Sequence, residues 1–197
     1  MNKIKIIALY GKSGSGKDTI QKWLVSNFPD SNGIVSCTTR PPRDYEIDGK
    51  DYFFLSTVEF GEKVLNGDML EATSFRDWMY GTSLNSLKED KINIGVFNPE
   101  GLECLLQDSR LDVLPIFIDA DDKVRLIRNL NRERYPDCAE IYPDCAEICR
   151  RYFTDAQDFE DISFFSLVYN NNNFKKNFND IIKLIYSTNF INQKSFI

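Results

Sequence analysis

The chain has 197 residues, 42% hydrophobic and 27% charged, which suits one globular domain able to bury a core. Its formal charge of −6 and pI near 4.8 run opposite to the basic balance of a nucleic-acid binder, so any phosphate chemistry needs a local basic pocket. The absence of histidine excludes Ser-His and Cys-His catalysis and every histidine metal site.

Residues 3–10, KIKIIALY, are β-branched and apolar and predict a buried first strand. No small-residue cleavage site follows, and no apolar run approaches the roughly 20 residues of a membrane span. The expectation is a cytoplasmic protein with neither membrane nor nucleic acid as partner, either a monomer or a homodimer. A glycine-rich turn leads into a helix over 17–27 whose inner face is Ile20, Trp23 and Leu24. Residues 33–37 predict a short strand, 38–54 a polar connection, 57–65 a helix ending near Gly67, and 69–80 two short strands. Residues 83–90 predict a helix and 92–97 a strand. Pro99 opens a helix to about Asp108, followed by a strand at 111–118. Further helices are expected over 121–134, 143–159 and 174–186, with a strand at 164–169 and a solvated turn at 170–173. Strands alternating with helices imply a parallel sheet covered on both faces.

YPDCAEI occurs at 135–141 and again at 142–148. Seven residues is close to two helical turns, but Pro143 argues against one helix through both copies. The first copy is read as lengthening a loop and the second as starting a helix. The five cysteines, Cys37, Cys104, Cys138, Cys145 and Cys149, form no CxxC pair, and their odd number suggests reduced thiols. Three cluster between 138 and 149, but a fourth zinc ligand is missing.

Residues 11–19, GKSGSGKDT, carry the GxxxxGK pattern after a strand and before a helix, the context a phosphate-binding loop requires. Its glycines let backbone N–H groups approach a phosphate, and the helix N-terminus adds partial positive charge. Gly11, Lys12, Ser13, Gly14, Ser15, Gly16, Lys17, Asp18 and Thr19 are the candidate ATP site, with Lys17 reaching the β- and γ-phosphates. Asp18 stands where the pattern has a magnesium-binding Ser or Thr. A carboxylate can also hold the ion, so Mg2+ with ATP is the expected cofactor and Asp18 its candidate ligand.

Residues 36–54, SCTTRPPRDYEIDGKDYFF, resemble the guanylate kinase pattern SxTTRxPRxxExDGxDYxF. GDMLE (67–71) is similar to that family's GxxLE, and YGTS (80–83) matches outright. The resemblance implies a P-loop α/β fold of three α/β/α layers with a parallel core sheet, plus a small nucleoside-monophosphate-binding lobe and a lid. It divides the single domain into a core (1–35, 83–131 and 151–190), a lobe at about 36–82 and a lid at about 132–150. By resemblance Ser36, Arg40, Arg43, Tyr52 and Tyr80 hold the phosphate of GMP or dGMP, while Glu71 and Thr82 meet the guanine. A carboxylate accepts from both the ring N–H and the amino group of guanine; adenine has no such donor pair. VFNPEG (96–101) departs from the family's DxDxQG: Val96 and Asn98 replace both aspartates, leaving Asn98 as an uncharged acceptor for the amino group. Arg128 and Arg132, four apart, share a helix face, and Arg151 (or Arg150) is the third arginine of the resemblance. With Lys17 they are the catalytic candidates, neutralising charge on the transferred phosphoryl. The implied activity is transfer of the ATP γ-phosphoryl to GMP or dGMP. A kinase of the same fold with another acceptor, a ribose 1,5-bisphosphate kinase or another NMP or dNMP kinase, is the nearest rival, but a sugar phosphate offers no base edge to Glu71. A non-catalytic, protein-binding guanylate-kinase-like module is the other.

Overall fold

In the computed structural model, which describes residues 3–42, 46–75, 77–132, 145–160, 167–169, 174–188 and 190, the apolar opening run forms strand β1 (Ile4–Tyr10). It lies at the centre of a five-stranded sheet. The helix α1 (Lys17–Asn27) follows the glycine-rich turn, then β2 (Ser31–Gly33), β3 (Cys37–Thr38) and β4 (Phe53–Phe54). Next come α2 (Thr57–Leu65), β5 (Met69–Phe75), β6 (Trp78–Ser83) and β7 (Ile92–Val96). The remainder is α3 (Pro99–Gln107), β8 (Leu111–Asp119), α4 (Asp122–Arg132), α5 (Cys145–Asp158), β9 (Leu167–Tyr169) and α6 (Phe174–Ser187).

The main sheet has the order β2-β7-β1-β8-β9, and every pairing in it is parallel. Alternation along β1 covers both faces, because successive side chains point to opposite sides of a strand. Ile7 and Leu9 pack with Ile20, Leu24, Ile181 and Ile185 of α1 and α6. Ile6, Ala8 and Tyr10 pack instead with Leu102 and Leu105 of α3. This is the expected three-layer α/β/α arrangement. Trp23 closes the first layer by stacking on Phe178, ring centroids 4.0 Å apart.

A smaller mixed sheet, β4-β3-β6-β5, stands beside the core sheet. β3 and β4 are parallel, whereas β6 runs antiparallel to both β3 and β5. Helix α2 opens with a capping box in which Ser56 accepts from the Glu59 N–H and the Glu59 carboxylate accepts from the Ser56 N–H.

Three expectations change. The strand expected over 33–37 divides between two sheets: Gly33 ends β2, Ile34 still donates to the Ile94 carbonyl, and Cys37 begins β3. The two strands expected within 69–80 lengthen into one hairpin, 69–75 and 78–83. The helix expected over 83–90 is a single 3-10 turn, Leu84–Ser86. Its extension is blocked by Asn93, fully buried on β7, whose amide accepts from the Lys88 N–H and donates to the Lys88 carbonyl. The same amide also accepts from Asn32 and donates to the carbonyls of Lys5 and Lys91. Among the described residues no helix is long and apolar enough to cross a membrane. Residues 133–144, with the first YPDCAEI copy, and the turn at 170–173 lie outside the described residues; Cys145–Ile148 of the second copy begin α5.

Asn93 satisfies five backbone and side-chain groups from one buried position. Replacing it with alanine leaves several buried polar groups unpaired, so Asn93→Ala should cost about 2–4 kcal/mol, read as a lower urea midpoint at unchanged slope.

Candidate active site

Strand β1 ends at the centre of the sheet, at the carboxyl edge where open parallel sheets place ligands. The loop that leaves it must turn at once into α1, and glycine makes this possible. At Gly14 φ is +76°, and a Cβ there would sit 2.8 Å from the Arg125 carbonyl oxygen. Five consecutive loop carbonyls accept from cationic side chains. Lys17 Nζ donates to Gly11 at 2.7 Å and Lys12 at 3.1 Å. Arg125 Nε donates to Ser13 at 2.9 Å. Arg128 Nη1 donates to Gly14 at 3.1 Å and Ser15 at 3.2 Å. Two loop amides are engaged as well: the Ser13 N–H donates to Asp155 and the Ser15 N–H to the Lys12 carbonyl, so the loop backbone is fixed on both sides. Desolvation against the loop pulls the Arg128 guanidinium below its ordinary value.

Asp18 stands in the first turn of α1, directly after Lys17, with Thr19 beside it. Its charge reaches the small sheet, where it raises the Tyr52 hydroxyl, already pushed up to about 12 chiefly by burial. Lys22 of α1 pairs with Asp51 at 3.7 Å, so the small sheet leans on the helix that starts at the loop.

On the small sheet, Arg40 lies over the Tyr52 ring, 5.6 Å from its centroid, and Tyr80 meets Tyr52 edge-on at 6.3 Å. Arg40 is held in a fork by Glu46 at 2.8 and 2.9 Å. Ser36, between the two sheets, accepts from the Phe53 N–H. Arg43 lies outside the described residues.

Glu71 and Thr82 are paired across β5 and β6. The Glu71 residue is only 9% exposed, and burial pushes its carboxyl up to about 7; hydrogen bonding from Thr82 pulls against that, and the Glu100 charge adds to it. Asn98 caps α3 by accepting from the Gly101 N–H at 2.7 Å and donates to Thr73 at 3.0 Å. Gly101 brings the two together: a Cβ there would lie 2.9 Å from Asn98 Oδ1 and 3.1 Å from Glu71 Oε2. Asn98 thus keeps one acceptor lone pair beyond its cap bond.

The structure therefore gathers the candidates into a loop group (residues 11–19 with Arg128), an aromatic–arginine group (Arg40, Tyr52, Tyr80) and a carboxyl–amide group (Glu71, Thr82, Asn98). Arg132 is the last residue of α4, and Arg151 lies on α5. Sequence reasoning missed Arg125, Asp155 and Glu46. Glu46 belongs to the quoted 36–54 motif and was open to view; Arg125 and Asp155 are 30 residues apart and share no local pattern.

A guanylate kinase family model matches residues 3–188. Over 131 residues the chain is 37% identical to the guanylate kinase of Chlamydia felis, covering 64% of this chain and 63% of that protein. Over 93 residues it is 42% identical to the guanylate kinase of Thermotoga maritima, covering 47% and 44%. The chain thus spans roughly half to just under two thirds of these relatives' length. The crystal structure of guanylate kinase from Anaplasma phagocytophilum shares the fold, with a TM-score of 0.66 at 17% identity, over 100% of this chain and 92% of that one. A phosphate-type loop at the centre of a parallel sheet, the small sheet with its buried carboxyl, and the match along nearly the whole chain lead to one conclusion: this chain belongs to the guanylate kinase family.

Proposed function

We propose that the chain transfers the γ-phosphoryl of ATP to GMP or dGMP, giving ADP and GDP or dGDP, in the cytoplasm. The observation that carries this reading is the buried Glu71 carboxyl beside Thr82, on a sheet next to the loop group. A carboxylate there accepts from the guanine ring N–H and amino group together, Thr82 faces the carbonyl oxygen, and Asn98 offers its remaining lone pair to the amino group. Arg40, Arg43, Tyr52, Tyr80 and Ser36 take the acceptor phosphate. Arg40 exchanges the Glu46 carboxylate for phosphate oxygens, since a guanidinium can pair bidentately with either anion.

Residues 11–19 take the donor phosphates. Lys17 and Arg128, both bonded to the loop, neutralise charge on the phosphoryl oxygens during transfer, and Arg132, at the end of α4, and Arg151, on α5, are the further arginines assigned to that role. No covalent intermediate is needed; positioning and charge neutralisation supply the rate. The small sheet acts as the acceptor lobe and the segment near 132–150 as the lid, together excluding water. Among the described residues no cluster of three or more acidic or thiol groups gathers around a metal point. The Asp18 carboxylate, at the start of α1, suits Mg2+ held by substrate phosphates and water with one protein ligand. When bound, the ion would neutralise phosphate charge.

Release of ADP from Mg-ATP, followed with GMP, dGMP, AMP, CMP, UMP, dTMP and ribose 1,5-bisphosphate, tests the reading. Turnover confined to the two guanine nucleotides is expected; turnover with any other acceptor alone overturns the guanine assignment. Arg128→Ala should lower kcat about 100-fold or more while leaving GMP affinity nearly unchanged.

The Glu71 carboxyl gives a pH test. Its folded value of about 7 lies above the ordinary 4.5, so the ligand-free protein holds that proton more tightly folded than unfolded. This group's contribution to stability therefore declines as pH rises from about 4.5 to about 7. GMP needs the ionised form, so its affinity should fall as pH drops below about 7, with a proton released on binding. Glu71→Gln should remove that dependence, leaving the titration of the GMP phosphate itself, and weaken GMP about 10- to 100-fold in calorimetric titrations.

A further inference from the structure

Motif residues Lys17 and Arg128 hold four of the five outward carbonyls of the phosphate loop; the middle one, on Ser13, is held by Arg125. The other side of Ser13 is also engaged: its N–H donates to Asp155 Oδ2 at 2.8 Å. Arg125 Nη2 donates to that same carboxylate oxygen, so a buried ion pair grips both polar groups of one loop residue. The Arg125 side chain is 3% exposed and that of Asp155 15%. Arg125 further donates to Asp122 at 2.7 Å and lies under the Tyr152 ring, whose hydroxyl donates to Asp122 at 2.6 Å. The network joins α4, α5 and the loop, and α4 and α5 are the two helices that bracket residues 133–144.

Burying a charged pair is expensive, and two apolar side chains of similar bulk would hold the helices together at least as well. Packing alone therefore does not account for a guanidinium and a carboxylate aimed at one peptide. We propose that Arg125 and Asp155 are positioning residues that clamp Ser13 and so set the phosphate loop in its ATP-binding shape. Neither touches the reacting atoms; both act through the loop backbone. The inference rests on the reading of residues 11–19 as the ATP site.

Burial raises the Asp155 carboxyl above its ordinary value, while the Ser13 N–H and the charges of Arg125 and Lys17 pull it down. The carboxylate is thus poised against Lys17 as well as Arg125.

The test measures ATP and GMP binding separately by calorimetry, beside urea stability, for the parent chain, Arg125→Leu, Asp155→Ala and the double variant. Arg125→Leu strands the Asp155 carboxylate and Asp155→Ala leaves Arg125 with Asp122 as its carboxylate partner, so stability drops, more in Arg125→Leu, and ATP affinity drops in both by about 10- to 100-fold. The double variant recovers stability relative to Arg125→Leu alone, because no buried charge is left stranded. ATP affinity stays at least about tenfold down in it while GMP affinity stays within about twofold. Arg125→Lys, which keeps the charge but not the fork, should also bind ATP weakly. Recovery of ATP affinity together with stability in the double variant overturns the proposal, as does an equal loss of ATP and GMP. A parent chain that binds GMP but no ATP overturns the phosphate-loop reading itself, and the inference falls with it.

Discussion

The arrangement depends on one constraint: a backbone loop that turns sharply from a strand into a helix must have its carbonyls satisfied from outside itself. Each peptide plane carries an N–H and a carbonyl, facing opposite ways. Here the carbonyls of Gly11 to Ser15 all find cationic donors, supplied by the start of α1 and by α4. Strand β1, at the centre of the parallel sheet, fixes where the loop begins, and the helix start fixes where it ends. The loop shape is therefore a property of three elements brought together, not of its glycines alone.

The small sheet is built the opposite way. The loop surrounds backbone with charge, whereas the small sheet keeps a carboxyl away from water and accepts the cost as a raised proton affinity. A buried carboxylate left unpaired is costly, which is why the small sheet holds Glu71 with a raised proton affinity. The hairpin geometry enforces this placement, since a Cβ at Gly81 would come 2.5 Å from the Glu71 carbonyl oxygen. The glycine of YGTS thus lets β5 and β6 approach while Thr82 stays opposite Glu71.

Asn98 shows how one substitution can serve two ends. As an N-cap it satisfies the Gly101 amide at the start of α3, a role in which asparagine and aspartate are near equals. Its amide nitrogen adds a bond to Thr73 that a carboxylate could not donate. An uncharged Asn98 beside Glu71 also spares that carboxyl a like charge that would raise it still further.

The sequence by itself determined the strand–loop–helix opening, the alternation that covers both sheet faces, the helix starts at Lys17 and Pro99, and the motifs at 11–19, 36–54 and 80–83 that carry the family resemblance. These were legible because each follows from local rules: β-branched runs, glycine and proline placement, and short motifs whose chemistry needs fixed spacing. Tertiary structure alone decided the rest. It split residues 33–37 between two sheets and reduced 83–90 to one 3-10 turn, because Asn93, distant from Asn32 in sequence, claims the backbone of Lys88. It raised Glu71 through burial that no neighbour in sequence reports. It joined Arg125 and Asp155 to Ser13 across more than 100 residues. Hydrogen bonds and desolvation act on distance in space, and a sequence records only distance along the chain.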